Sequence, residues 1–419
     1  MAKVSPSPYI IELASKKLMP DLTTPNRLIA IDLARGIAML GVALVNIHAF
    51  AATWSSLYGL DMARSLTDVA AETVNAMFFT HRSYPVLSFL FGAGLALQWS
   101  HLPESVRRPT QLRGRLWALL AIGVAHGLLL WPGDVLTTYA VLGLLMVSLL
   151  NFDNRVTLGV AIVVYALTLA LFVSIGVAML VSQNEPYPAV DAASSFAASS
   201  ISTALSLHRS EYFERGLVQL LVSDFWAHAL LGMWAARSGA LQRFFAAPFA
   251  RPSIAIIGAL LLVAGSATEL IAARYGGWNA LTNDDFGYGL MTIALLPASL
   301  GGLWLWLTVA ACWAHSKFAH GSLATLVSAA GRAPLTQFIG QSVVFAVLFN
   351  KSLVGWYGEL GRGTYSLIAL TTYVLLCAFI RAWLAAGHAQ GPMEMVWRWL
   401  TKLLSPQPLK PTAIEGPTS

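Results

Sequence analysis

Residues 156–182 read VTLGVAIVVYALTLALFVSIGVAMLVS, 27 residues without a single Asp, Glu, Lys, Arg or His. Wound as a helix at 1.5 Å per residue, the run is about 40 Å long, more than the roughly 30 Å hydrocarbon core of a bilayer. In water it would need a polar coat, and the chain has little to offer. Hydrophobic residues make up 57% of the 419 and charged ones 11%, well below the usual share of a soluble domain. The pattern recurs at 33–53, 84–100, 115–131, 134–151, 217–237, 252–273, 287–313, 331–350 and 365–386. The expectation is an all-α fold, a polytopic transmembrane helix bundle of about ten membrane-spanning helices, with the lipid bilayer as its first partner.

The basic residues sit at the ends of these runs. One alternate set of loops holds Lys3, Lys16, Lys17 and Arg27; Arg107, Arg108, Arg113 and Arg115; Arg155; Arg237, Arg243 and Arg251; Lys317 and Arg332; and Arg398, Lys402 and Lys410. The other set holds only Arg64, Arg82, Arg209, Arg215, Arg274, Lys351 and Arg362. The positive-inside bias then puts both termini in the cytoplasm of a bacterial cell, with a multi-pass chain in its cytoplasmic (inner) membrane. The formal net charge of +6 is membrane topology on this reading, and no nucleic-acid partner is expected. Three regions follow: a cytoplasmic N-terminal segment 1–32, a transmembrane bundle 33–390, and a segment 391–419 with an amphipathic cytoplasmic helix and a disordered tail. Two outer segments, near 54–83 and 183–216, are long enough to cap the bundle as interfacial helices.

Ionisable groups inside apolar runs are the informative residues, because each needs a partner or water there. The first run opens with Asp32 and Arg35, three apart and so on one helix face, where they can pair. Asn46 and His48 lie toward its far end. His81 and Arg82 stand at the start of the next run, with His81 a candidate base. His126 lies within the run 115–131 and is followed by Pro132-Gly133-Asp134 and Tyr139. The Pro-Gly turn makes the two flanking helices antiparallel neighbours. His126 lies near the middle of its run, about two to three turns from the turn, so spacing does not fix a direct contact with Asp134, and a water or Tyr139 could bridge them. Weaker candidates are Asp224 with His228, Glu269 within the run 252–273, which needs a partner, and Arg332 before Pro334, a proline that interrupts or starts a helix, with Gln341 and Ser342 beyond it. Helix-to-helix hydrogen bonding or interfacial snorkelling is the plainer account of each.

Several chemistries are excluded by absence of motif. There is no Walker A loop, GxSxG elbow, HExxH or GxGxxG, and Cys312 and Cys377 form no cluster with histidines, so no metal is expected.

Arg27-x-x-x-x-Asp32-Leu-Ala-Arg35-Gly36 with Leu44-Val45-Asn46-Ile47 resembles the opening of the YeiB-like bacterial membrane proteins (domain of unknown function 418). So do Phe89 to Gly94, the run from His126 through Gly133-Asp134 to Tyr139-Ala140, Gly331-Arg332 with Leu335-Thr336 and Gln341-Ser342, and Gly391-Pro392-x-Glu394-x-x-x-Arg398. That opening is distantly similar to transmembrane acyltransferases of the heparan-glucosaminide N-acetyltransferase type. The resemblance implies a chain that takes an acyl group from cytoplasmic acyl-CoA, such as acetyl-CoA, to an extracytoplasmic or lipid-linked acceptor, a small molecule or glycan. Arg35, Asp32, Arg82, Tyr139, Arg332 and Gln341 would bind substrate; His126, His81, Asp134, Asn46 and His48 would supply the chemistry. One departure stands out. Where the related O-acyltransferases carry a His eleven residues after the first-run Arg, this chain has Asn46, and His48 faces another way. The other class is a proton-coupled secondary transporter or exporter of a small amphiphile, with His126, Asp224 and Glu269 as its path. A homo-oligomer is compatible with either.

Overall fold

The computed structural model describes residues 25–52, 65–102, 110–181, 195–222, 224–274 and 285–405. The sequence expectations for 1–24, for 54–64 of the first capping segment, for 183–194 and for the tail beyond Ser405 lie outside these residues. Among the described residues every regular element is helical.

In chain order they are α1 (Pro25–Ala51), α2 (Leu66–Phe78), α3 (Ser83–Ser100), α4 (Thr110–Leu129) and α5 (Leu136–Met146), the last running on as a 3-10 turn over Val147–Asn151. Then come α6 (Asn154–Val181), α7 (Ile201–Val222), α8 (Phe225–Arg237), α9 (Ala240–Ala246), α10 (Pro252–Arg274) and α11 (Asp285–His315). The chain closes with α12 (Ser322–Arg332), α13 (Pro334–Phe349), α14 (Arg362–Ala385) and α15 (Pro392–Leu404).

Six of these, α1, α4, α6, α10, α11 and α14, are long and apolar enough to cross a membrane, and α12 with α13 makes a seventh crossing if the bent pair is one span. The count of about ten is therefore not confirmed. The shortfall has physical reasons. α3 is polar at both ends, from Ser83 to Pro85 and from Gln98 to Ser100, and α8 has only 13 residues. α5 has 11 before it tightens into the 3-10 turn. The run 331–350 is broken by an 89° bend between Arg332 and Pro334. Proline there has no N–H to continue α12 but suits the first turn of α13.

α1 is the central helix, with 67% of its apolar window buried, whereas α6 and α10 bury only 22% of theirs. Ile162, Val163 and Leu167 of α6 and Ile256, Leu260 and Val263 of α10 are more than half exposed. An apolar surface of that extent suits lipid rather than water.

Close helix approach at the centre depends on glycine. A Cβ on Gly36 would overlap the Val327 carbonyl, and one on Gly331 the Asp32 carbonyl, so α1 and α12 cross backbone to backbone. Gly92 against Ala229 and Gly232 against Phe89 do the same for α3 and α8.

α15 lies at the α12–α13 bend. The Glu394 carboxylate accepts from the Leu335 and Thr336 amides (2.7 and 3.1 Å) and from the Thr336 hydroxyl (2.5 Å). A side chain some sixty residues away thus caps the open amides of α13. The indole of Trp397 donates to the Arg115 carbonyl (2.7 Å), which ties α15 to α4 as well.

Candidate active site

The turn that joins α4 to α5 sets the geometry of the polar cluster. α4 ends with the amides of Leu130 and Trp131 both reaching back to the His126 carbonyl (2.9 and 3.0 Å), so His126 sits in its last turn, not at its middle. Gly133 passes under the Trp131 ring, where a Cβ would leave no room. Asp134 then meets the start of α5, its Oδ1 accepting from the Leu136 amide (3.1 Å) and its Oδ2 from the Thr137 amide (2.8 Å). Two backbone donors and the positive end of a helix thus face this carboxylate in an apolar surrounding.

That carboxylate faces the His126 ring. Nδ1 of His126 lies 2.8 Å from Asp134 Oδ1, with the two side chains 1% and 0% exposed. A carboxylate can only accept, so Nδ1 carries the hydrogen and the lone pair of Nε2 points the other way. There it meets the Ser342 hydroxyl of α13 at 2.9 Å. Phe338 and Trp131 close the ring in at centroid distances of 5.0 and 6.4 Å. Further out, Gln219 Nε2 donates to the Asp134 carbonyl (3.2 Å), and the Thr137 hydroxyl pairs with that of Tyr212 (2.9 Å). The whole arrangement is a hydroxyl, an imidazole and a carboxylate in line, from three segments, inside the bundle.

Depth follows from one more bond. Gln341 Nε2 donates to the Met39 carbonyl (3.2 Å), so the Ser342 level of α13 lies beside the middle of α1. Arg35 is four residues before Met39, about 6 Å along the axis. Arg35 and Asp32 share a face as expected, but among the described residues they form no ion pair. Instead Arg35 turns toward α3, its guanidinium 3.8 Å from where a Gly94 Cβ would stand, with Gln98 beside it. Arg332 is exposed at the same end of the bundle, one residue past the glycine that packs on Asp32.

The other sequence candidates fall elsewhere. His81, in the left-handed region at φ 55, is bonded through Nδ1 to Glu269 of α10 at 2.7 Å. Arg82 is fully buried and donates to the Ala76 and Thr80 carbonyls (2.8 and 2.7 Å) and to Ser266 (3.3 Å), which clamps the α2–α3 junction onto α10. Burial holds its guanidinium below the ordinary arginine range, while Glu269 acts in the opposite sense. His48 meets Asn75 at 3.4 Å and stands edge-on to Tyr365, near the buried Glu72–Arg362 ion pair of 2.7 Å. Asn46 accepts from the Tyr84 hydroxyl, and Tyr139 pairs with Ser88 at 3.1 Å.

A second cluster joins α8 to α11. His228 Nδ1 donates to the carbonyl of its own Asp224 (2.9 Å), while the Asp224 carboxylate is 3.5 Å away. Its Nε2 faces Ser299 at 3.2 Å. Sequence reasoning found both histidines and both aspartates but gave neither serine a role. Ser342 is 216 residues from His126, and no local spacing signals the pairing.

The family described as "Protein of unknown function (DUF418)" matches residues 235–403, from the end of α8 to α15. The chain is 27% identical over 417 residues to the protein YxaH of Bacillus subtilis, covering 94% of this chain and 98% of that one. It is 25% identical over 397 residues to YeiB of Escherichia coli, covering 90% and 96%. A 39.9 kDa protein from the amylase 3' region of Bacillus acidopullulyticus is 26% identical, covering 91% and 96%. Residues 235–403 thus match the DUF418 family, and the similarity to YxaH and YeiB runs along nearly the whole chain.

Proposed function

We propose that this protein is a membrane-embedded acyltransferase in which His126, held by Asp134, acts as the general base toward a hydroxyl or amine. The observation that carries the reading is the carboxylate-oriented imidazole buried in the bundle, with its second nitrogen turned to a hydroxyl. An imidazole fixed in one tautomer can take a proton during attack and return it to a leaving group. Arg35 and Arg332, with Gln98 near the first, would receive the anionic end of an acyl-CoA such as acetyl-CoA as charge-assisted donors. Counting α3, α5 and α8 as short crossings restores ten spans. The loop charges then put both termini, and with them the Arg35–Arg332 end, in the cytoplasm, where acyl-CoA is found. The acceptor would be a small molecule or glycan reached from the opposite side.

The test is transfer from labelled acetyl-CoA to the purified protein and to co-extracted lipid or glycan. Wild type should transfer, His126→Ala should not, and His81→Ala should stay near wild type. Folded protein that neither binds nor uses acyl-CoA of several chain lengths would contradict the reading.

A second reading has its own observation. His81–Glu269, His126–Asp134 and His228–Asp224 are three imidazole–carboxylate pairs inside one bundle. Such pairs suit the proton path of a secondary transporter. Proton uptake into proteoliposomes that depends on a solute gradient, and fails in Glu269→Gln, would favour it.

A further inference from the structure

We propose that Ser342 is the nucleophile of this site and carries the acyl group as an ester between two half-reactions. The inference rests on the acyl-transfer reading and names a residue and an intermediate that the reading does not require. A base alone would serve a direct attack by the acceptor. Here the base already has a hydroxyl of the protein on it.

Three observations support the assignment. The first is alignment: Asp134 Oδ1, His126 Nδ1, His126 Nε2 and Ser342 Oγ follow one another at 2.8 and 2.9 Å across the ring. The second is the hydroxyl's choice of acceptor. Ser342 can donate to the Phe338 carbonyl one turn back, but that oxygen is 3.2 Å away, farther than the imidazole. The third is an internal control. In the α8–α11 cluster Ser299 is 2.8 Å from the Leu296 carbonyl and 3.2 Å from His228, so there the proton goes to the backbone. His228 in turn is set by a peptide carbonyl and not by its carboxylate. Of these two serines, Ser342 is the one whose nearest acceptor is a carboxylate-backed base. That is what activates a serine, which is a weak nucleophile at its own pKa.

The chemistry balances without a redox partner. Ser342 Oγ bonds to the thioester carbonyl carbon as its proton passes to His126 Nε2. The carbon–sulfur bond then breaks, and the sulfur takes that proton and leaves as free thiol. In the second half the acceptor hydroxyl or amine gives its proton to Nε2 as it attacks the serine ester. Oγ departs with that proton, and Ser342 is restored. Asp134 stays ionised throughout and steadies the imidazolium formed in each half.

The experiment uses the full chain in detergent, with wild type, Ser342→Ala, Ser342→Cys, His126→Ala and Ser299→Ala, each checked for folding by size-exclusion and thermal melting. Each is treated with a fluorophosphonate probe and, separately, with labelled acetyl-CoA without acceptor, and peptides are mapped by mass spectrometry. The expected result is probe and acetyl both on Ser342, both lost in His126→Ala and both kept in Ser299→Ala. Transfer to acceptor should fall about a thousandfold or more in Ser342→Ala. Ser342→Cys keeps a donor beside His126 and should fold even if the alanine variant does not, with acetyl found on the new thiol. Undiminished transfer by folded Ser342→Ala would overturn the nucleophile while leaving the acyltransferase standing as a direct-attack enzyme. Probe on Ser342 with no use of any acyl-CoA would uphold the nucleophile and overturn the donor. Neither probe nor transfer in folded wild type would overturn both.

Discussion

The bundle holds two groupings of serine, histidine and aspartate, and they are wired differently. Around His126 the aspartate comes from the turn before α5 and accepts from two amides of that helix start, and the serine comes from α13. Around His228 the aspartate precedes the histidine by one turn, and its backbone carbonyl takes the ring hydrogen while the carboxylate stands off. On the proposed reading the first arrangement polarises a hydroxyl, while the second fastens α8 to α11. Residue types alone do not separate catalysis from packing. What separates them is which oxygen each nitrogen meets.

The comparison can be broken by paired substitutions. The largest expected effect is on acyl transfer: Asp134→Asn should lower kcat by about 10³–10⁴-fold, because an amide no longer enforces the tautomer. Asp224→Asn should leave it within about threefold, since the backbone carbonyl still holds His228. Steady-state kinetics on both variants decides this.

Next comes stability. Asp134→Ala removes one partner of a buried pair together with the α5 cap and should cost about 3–5 kcal/mol. Asp224→Ala should cost less than half of that. Thermal or denaturant unfolding in detergent reads the difference.

A smaller effect belongs to the support of α13, which carries Ser342. Glu394→Ala uncaps that helix and should cost about 1–2 kcal/mol. It should also lower transfer more than it lowers any function of the His228 cluster. If it shifts melting but leaves transfer unchanged, α13 holds Ser342 without help from α15. The smallest change is expected for Ser299→Ala, about 1 kcal/mol or less, with transfer unaltered.

Much of this fold was legible in the sequence. The run 156–182 became α6, 252–273 became α10, 287–313 became α11 and 365–386 became α14, because an uninterrupted apolar stretch of that length has only a helix to satisfy its backbone in lipid. The chain after Gly391 is helical as α15, and α7 begins within the second outer segment. The bend at Arg332–Pro334 was only half visible. Proline marked a break, but α12 was not expected as a separate helix, and nothing local gave the angle. The crossing number of about ten is not confirmed, because short helices such as α8 are apolar without being long enough to count by length alone.

For the site, His126 and Asp134 were legible because a Pro-Gly turn brings the helices it joins together. Their direct contact was not, because helix rotation about the turn is set by packing, here by Gly133 under Trp131 and by Thr137 close to Gly123. Ser342 could not be found from spacing. It reaches His126 only after α13 has been placed against α1 through Gln341 and Met39. Asp32 and Arg35 show the converse: their spacing permitted a pair, and tertiary packing drew Arg35 toward α3 instead.

The central claim is that His126, and not His228 or His81, is the working base of an acyl-transfer site. The most direct measurement is the rate of labelled acetyl transfer from acetyl-CoA by the wild type and by the three single alanine variants, all shown to be folded. The account predicts loss of transfer in His126→Ala alone. Equal loss in all three, or transfer that survives in His126→Ala, would contradict it.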